Sequence, residues 1–238
     1  MNRSVQRAQI RKTLDQFAGG LVVSCQARPG NPLHGAESMV LMARAAELGG
    51  ATALRVNGPA DVAAVLAATS LPVVAINKVD HPGSPVGITP TIESVDELFA
   101  AGATIIALDA TNRARPGGET LRDIVTVIHE RGGVAMGDLA VAGDLEGALA
   151  ADIDAVGTTL SGYTGGPVPD EPDFDLLAWL VRHSPVPVFA EGRYWTTDQV
   201  SRAFDLGASF VVVGTAITNP MAITSRFVQS AQRHRGTA

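Results

Sequence analysis

Lys78 closes the apolar run Val73-Val-Ala-Ile-Asn, and no further charge follows until Asp80. A lysine at the edge of a buried segment, near a cation such as Arg55, has its pKa lowered toward neutrality and can act as a base. Glu191 closes a similar run, Val186-Pro-Val-Phe-Ala. A carboxylate is costly to bury there unless it is paired or holds a proton. A proton held that way suits an acid/base partner facing Lys78. Asp138 has the same character, with Gly137 before it leaving room for a substrate, or it could simply hold Lys78 in place. Two other uses stay open. Lys78 could form a Schiff base with a carbonyl substrate, as in an aldolase or lyase, and Glu191 could be a structural ion pair with Arg55 or Arg193.

Gly192 and Gly214 each follow a β-branched or apolar run, with Arg193 and Thr215 adjacent. Bare backbone N–H groups at such turns can cradle phosphate oxygens. The remaining candidates read blandly. Cys25 is expected as a small buried residue, and His34, His81, His129, His183 and His234 are scattered without metal-like spacing, so no metal is expected. Trp179 and Trp195 read as packing and loop anchors, and Arg113 and Arg115 as an exposed lid or partner contact.

These residues need elements that bring them together. Strand candidates are Leu21–Ser24, Thr52–Val56, Val73–Asn77, Thr104–Leu108, Gly133–Met136, Ala155–Gly157, Val186–Ala190 and Phe210–Val213. Helical spacing covers Glu37–Leu48, Pro59–Ala68, Ser94–Ala101, Thr120–Glu130, Phe174–His183, Thr197–Leu206 and Ala222–Ser230. Continuous apolar strands suit a parallel sheet buried on both faces. Threonines ahead of Glu93 and Asp198 offer capping hydroxyls, and Gly49, Gly102, Gly132 and Gly207 sit where a left-handed residue ends a helix. Some eight strand–helix cycles with short joins predict an α/β protein of the (β/α)8, or TIM, barrel type, with an open doubly wound sheet as the alternative. The amphipathic opening stretch is expected to add a helix across the barrel's bottom. No linker interrupts the chain, so one domain over residues 1–238 is expected.

A barrel's chemistry sits where strands pass into loops. The strand ends carry Ser24 and Gln26, Arg55 and Asn57, Lys78, Asp109 and Thr111, Asp138, Ser161, Glu191 and Gly214. Nearly every strand therefore delivers a polar group to one rim.

Composition narrows the function. The 238 residues are 46% hydrophobic, enough for a core that needs no staple. A net charge of -6 argues against a nucleic-acid surface. No apolar run approaches the roughly 20 residues that cross a bilayer. The N-terminal stretch lacks the apolar core of a signal peptide. One cysteine fits a reducing compartment, so the cytoplasm is expected.

The segments Gly20-Leu-Val-Val-Ser-Cys-Gln, Leu54-Arg-Val-Asn-Gly, Ile88-Thr-Pro-Thr, Ile106-Ala-Leu-Asp-Ala-Thr, Gly157-Thr-Thr-Leu-Ser-Gly-Tyr-Thr, Ala190-Glu-Gly-Arg and Val213-Gly-Thr-Ala-Ile-Thr carry a resemblance over nearly the whole chain. In that order they resemble the bacterial N-acetylmannosamine-6-phosphate 2-epimerases of sialic acid breakdown. The resemblance implies a cofactor-free isomerase that removes and returns the C2 proton of an amino-sugar phosphate. It puts Lys78 and Glu191 on the family's catalytic lysine and glutamate, and Asp138, Gln26 and Arg55 on its active-site polar residues. The chain departs from the family pattern at Val79 and Asn219, where arginines are usual, and at Leu139-Ala140, where a serine or threonine is common. Both arginine losses take positive charge from the mouth, so a related 2-acetamido sugar, or one without phosphate, and a non-catalytic sugar-phosphate binder are the competing expectations. Symmetric assemblies are common enough to make a homodimer the expected partner state.

Overall fold

The computed structural model describes residues 3–235. The single domain expected over 1–238 includes residues 1–2 and 236–238, which lie outside them. Eight parallel strands close on themselves: β1 (Leu21–Cys25), β2 (Ala53–Asn57), β3 (Val73–Ile76), β4 (Ile105–Asp109), β5 (Val134–Asp138), β6 (Ala155–Gly157), β7 (Val188–Glu191) and β8 (Phe210–Val213), with β8 paired back onto β1. This is a (β/α)8 barrel and not an open sheet. The helices are α1 (Arg3–Leu14), α2 (Ala36–Leu48), α3 (Pro59–Ala68), α4 (Ile92–Ala100), α5 (Leu121–Glu130), α6 (Asp144–Ala150), α7 (Phe174–His183), α8 (Thr197–Asp205), α9 (Thr215–Thr218) and α10 (Pro220–Arg235).

Alternation along each strand sorts the side chains into two cores. Val22, Val74, Ile105, Met136, Phe189 and Phe210 point into the barrel, while Leu54, Ile106, Leu108, Ala135 and Val211 pack outward beneath the helices. Gly157 is an inward position where a Cβ would stand 2.1 Å from the Phe189 ring, so its missing side chain is the space that Phe189 fills. Gly137 faces outward instead. A Cβ there would meet Ala110 just after β4 and Ile153 just before β6, so this glycine serves the packing of those connections and not the approach of a substrate.

The chain closes the lower end as its opening stretch suggests. Ile10 and Leu14 of α1 are buried, and the Phe17 ring meets Phe210 edge-on at 5.1 Å, with Phe210 stacked on Phe189 at 5.3 Å. Helix caps follow local chemistry. Thr91 accepts from the Ser94 N–H, and Thr120 and Thr196 form reciprocal capping boxes with Asp123 and Gln199. The left-handed residue after α2 is Gly50 (φ 89°), not Gly49, whose φ is -75°.

Helices α6 and α9 are absent from the sequence reading because seven and four residues are too short to show a helical period. The last helix runs beyond the expected Ala222–Ser230 at both ends. It packs chiefly on α9, leaving Met221, Phe227 and Val228 exposed. Among the described residues, no helix is long and apolar enough to cross a membrane.

Candidate active site

The inward parity that fills the barrel with apolar groups continues past the strand ends with polar ones. Arg55 lies two residues beyond inward Ala53, Asp109 two beyond Ala107, Asp138 two beyond Met136 and Glu191 two beyond Phe189. Lys78 and Thr159 follow inward Ile76 and Gly157 in the same way. A period of two thus delivers the sequence candidates to one place. Above them opens a cavity of about 840 Å³ whose walls include Gln26, Arg28, Lys78, Thr159, Glu191 and Gly214.

Arg55 anchors the floor. Its guanidinium gives Nη1 and Nη2 to Asp138 at 3.0 and 2.5 Å, and Nη1 also to Glu191 Oε2 at 2.7 Å. Such bidentate, charge-assisted pairing is what makes two buried carboxylates tolerable. Arg55 is 1% exposed and lies beneath the cavity, with its guanidinium taken up by the two carboxylates. The ion pair weighed for Glu191 is thus with Arg55. Asp138, fully buried, holds Arg55 and not Lys78.

Lys78 is held by other groups. Its N–H donates to Asn57 Oδ1 at 2.9 Å, and the segment 78–89 folds back as a clamp, with Lys78 bridged to Ile88 and Thr89 Oγ1 donating to Ala107 O. Its ammonium donates to Gln26 Oε1 at 2.7 Å, and Gln26 Nε2 donates to Ser24 Oγ at 2.7 Å. The side chain opens onto the cavity while protein surrounds it on the other sides. That desolvation, reinforced by Arg55 and Arg28, lowers its pKa to about 8 against the pull of Glu191 and Asp138. Burial raises Glu191 to about 7, with Asp138 adding to the rise and Arg55 opposing it.

Gly192 adopts φ 108°, which an L side chain resists, and Gly214 lies 3.2 Å by its virtual Cβ from Ser24, so both turns expose bare backbone to the cavity. Thr215 begins α9 on the cavity wall. Arg193 lines the mouth too, but its guanidinium donates to the Ser161 and Glu171 carbonyls and lies over the Tyr163 ring, so it braces the β6–α7 loop. Asn219 accepts from the Ala222 N–H at 3.1 Å and so caps α10.

Arg113 and Arg115 are no exposed lid. Arg113 pairs with Asp109 at 2.5 Å, and Arg115 is buried with a bond to the Asp109 carbonyl. Burial pushes the Cys25 thiol up to about 12, consistent with an inert packing residue. No cluster of His, Cys, Asp or Glu suited to a metal occurs among the described residues.

Two site residues escaped the sequence reading. Thr159 donates to Asp138 Oδ1 at 2.6 Å and stands 3.3 Å from Glu191 Oε2. The alternation from Gly157 was enough to place it. Arg28 lines the mouth, with no side-chain hydrogen bond or ion pair among the described residues. It sits in an irregular loop where no period applies.

Fold and site together define a (β/α)8-barrel protein with a lysine, an arginine and two carboxylates gathered at its C-terminal mouth. A family model described as "Putative N-acetylmannosamine-6-phosphate epimerase" matches residues 39–233. A Clostridium perfringens protein of the 2-epimerase designation is 44% identical over 218 residues, 90% of this chain and 97% of its own. One from Enterobacter sp. is 45% identical over 231 residues, 94% of this chain and 98% of its own. The solved structure of the Clostridium perfringens N-acetylmannosamine-6-phosphate 2-epimerase superposes with a TM-score of 0.89 at 43% identity, over 91% of this chain and 95% of that one. The chain also matches a "Bifunctional enzyme NanE/NanK" of Brucella melitensis at 44% identity, spanning only 44% of that relative's length. The chain belongs to the N-acetylmannosamine-6-phosphate epimerase family.

Proposed function

We propose that the protein interconverts N-acetylmannosamine 6-phosphate and N-acetylglucosamine 6-phosphate by removing the C2 proton and returning it to the opposite face, without a cofactor, as one catalytic domain over its whole length. The observation that carries this reading is the placement of Lys78 and Glu191 at the ends of β3 and β7, four strands apart in a ring of eight. A planar enolate between them has one proton-carrying group on each face. Neutral Lys78 takes the C2 proton of the open-chain aldehyde, and Glu191 supplies one from the other side. The lysinium formed and the Gln26 amide bonded to it offer donors for the enolate oxygen, the group that most needs stabilising.

The phosphate has backbone N–H groups at Gly192, Gly214 and Thr215 as its cradle. Arg28 supplies the positive charge that Asn219 and Val79 do not. Sugars with and without phosphate, incubated with the enzyme in D2O and followed by proton NMR, test the reading. Deuterium entering C2 of the phosphorylated sugar with change of configuration is expected. No exchange on either sugar would overturn it. Borohydride added with substrate is expected to leave Lys78 unlabelled, which separates the reaction from a Schiff-base lyase.

A homodimer follows as the companion proposal. Ile217, Met221, Phe227 and Val228 expose apolar surface along α9 and α10, and a second copy is the partner that would bury it. The small-molecule chemistry and the lone buried thiol suit the cytoplasm.

A further inference from the structure

A hydroxyl carries one proton, and at Thr159 two carboxylates compete for it. Oγ1 lies 2.6 Å from Asp138 Oδ1 and 3.3 Å from Glu191 Oε2. The shorter contact is the length of a charge-assisted O–H···O bond, and the longer one is at the limit of any such bond. The proton therefore goes to Asp138. What Thr159 then turns toward Glu191 is a lone pair, which repels a second ionised oxygen but accepts readily from a protonated acid. The backbone leaves little freedom to escape this geometry. The neighbouring Thr158 accepts from the Glu191 N–H at 3.1 Å and donates to the Glu191 carbonyl at 2.8 Å, which locks the end of β6 to the end of β7.

The charges around Glu191 leave room for such a choice. Arg55 on β2 donates to both carboxylates, Asp138 on β5 faces the same guanidinium, and Lys78 beyond β3 stands across the cavity. Arg55 alone balances one carboxylate, so whenever Lys78 is neutral the other one holds a proton readily. Asp138 receives two bonds from Arg55 and a short one from Thr159, whereas Glu191 receives one from Arg55.

We infer that Thr159 is a positioning residue that assigns the shared proton to Glu191, by giving its own hydroxyl proton to Asp138 and presenting an acceptor to the glutamate. The inference rests on the reading of Glu191 as the proton-carrying partner of Lys78. It adds to that reading a residue that acts through the two carboxylates by deciding which acid is protonated. Were the hydroxyl instead to donate to Glu191, its loss would raise the glutamate's pKa. The two orientations thus predict opposite shifts.

The test is a carboxyl carbon-13 NMR titration of enzyme labelled in its glutamates, with the Glu191 signal identified by its absence in Glu191→Gln. In Thr159→Val the Glu191 midpoint is expected to fall by about one unit, the scale of one lost hydrogen bond to the protonated form. Thr159→Ser, which keeps the hydroxyl, is expected to restore it. Thr159→Ala carries the same expectation as valine and avoids crowding if valine disturbs folding. An unchanged or raised midpoint in either hydroxyl-free variant, or a serine variant that behaves like valine, overturns the inference. The titration reads the glutamate directly, so it gives an answer even if C2 exchange fails and the epimerase reading falls. With turnover in hand, the low-pH limb of the rate profile is expected to move down in Thr159→Val, which a merely structural loss of rate would not produce.

Discussion

Lys78 and Glu191 face each other across the barrel, with pKa values brought within about one unit, near 8 and near 7. In water an amine and a carboxyl stand some six units apart. With one proton between them, the lysinium–carboxylate and amine–acid forms are thereby brought much closer in energy than in water. One form suits proton removal from one face of the sugar, and the other form suits the opposite face. A reversible inversion needs both to be populated.

The pair therefore has a pH window. Below about 7 both groups are protonated and no base remains, and above about 8 both are deprotonated and no acid remains. The kcat/KM profile is expected to be bell-shaped with its maximum between those limits. A flat profile from pH 6 to 9 would contradict the two-group assignment. These limbs belong to the pair and not to either residue alone.

Arg55→Met removes the cation under both carboxylates while nearly preserving volume. Leaving Asp138 and Glu191 buried without it is expected to destabilise the fold by about 3–5 kcal/mol at neutral pH. Protonation of the stranded acids relieves part of that cost, so the loss should shrink as pH falls. Urea denaturation at pH 7.5 and 5.5 measures both.

Arg28→Leu takes away a cation that makes no structural bond among the described residues. Loss of one charge-assisted contact to a phosphate, about 1.5–3 kcal/mol, corresponds to a KM raised roughly tenfold to a hundredfold. The maximal kcat should hold, with the high-pH limb of its profile moved upward because Arg28 is one of the cations that lower the Lys78 pKa. Steady-state kinetics with the phosphorylated sugar decide this, and a fall in kcat at constant KM would remove Arg28 from the phosphate site.

Gly157→Ala places a methyl group 2.1 Å from the Phe189 ring in a packed interior. A cost of about 1–3 kcal/mol is expected. Adding Phe189→Leu should recover part of it, since the overlap lies with that ring. Thermal unfolding of the single and double variants provides the comparison.

Lys78→Ala is expected to abolish C2 exchange while leaving the fold intact, because the lysine's side chain ends at the cavity wall and its side-chain hydrogen bond is to Gln26 alone among the described residues. Residual exchange near the wild-type rate would assign the base elsewhere.

The barrel was legible because its signals are repetitive. Most strands are largely apolar runs that pass into polar residues, and an error of one or two residues at Ala53 or Val188 leaves the count of eight intact. Lys78 and Glu191 stood out because charge at the end of such a run has few structural uses. The Glu191–Arg55 pair was one of two that the sequence offered, but the partners of Asp138 and Gln26 were not legible. Which of several polar groups pair across a barrel depends on side-chain reach, and neither charge type nor spacing reports it. Arg193 shows the same limit, since a glycine-flanked arginine beside a candidate phosphate turn reads alike whether it points to a ligand or, as here, to two loop carbonyls. Gly137 shows the opposite failure. Strand parity alone, applied from inward Met136, would have turned it away from the site.

The aromatic stopper of Phe17, Phe210 and Phe189 makes the chamber a blind alley. Whatever enters must leave by the doorway it came through, and both epimers use that same doorway. Nothing in the passage can then favour traffic one way. The direction of net flow is handed to the neighbours of the enzyme in the cell, through how fast they deliver one sugar and remove the other.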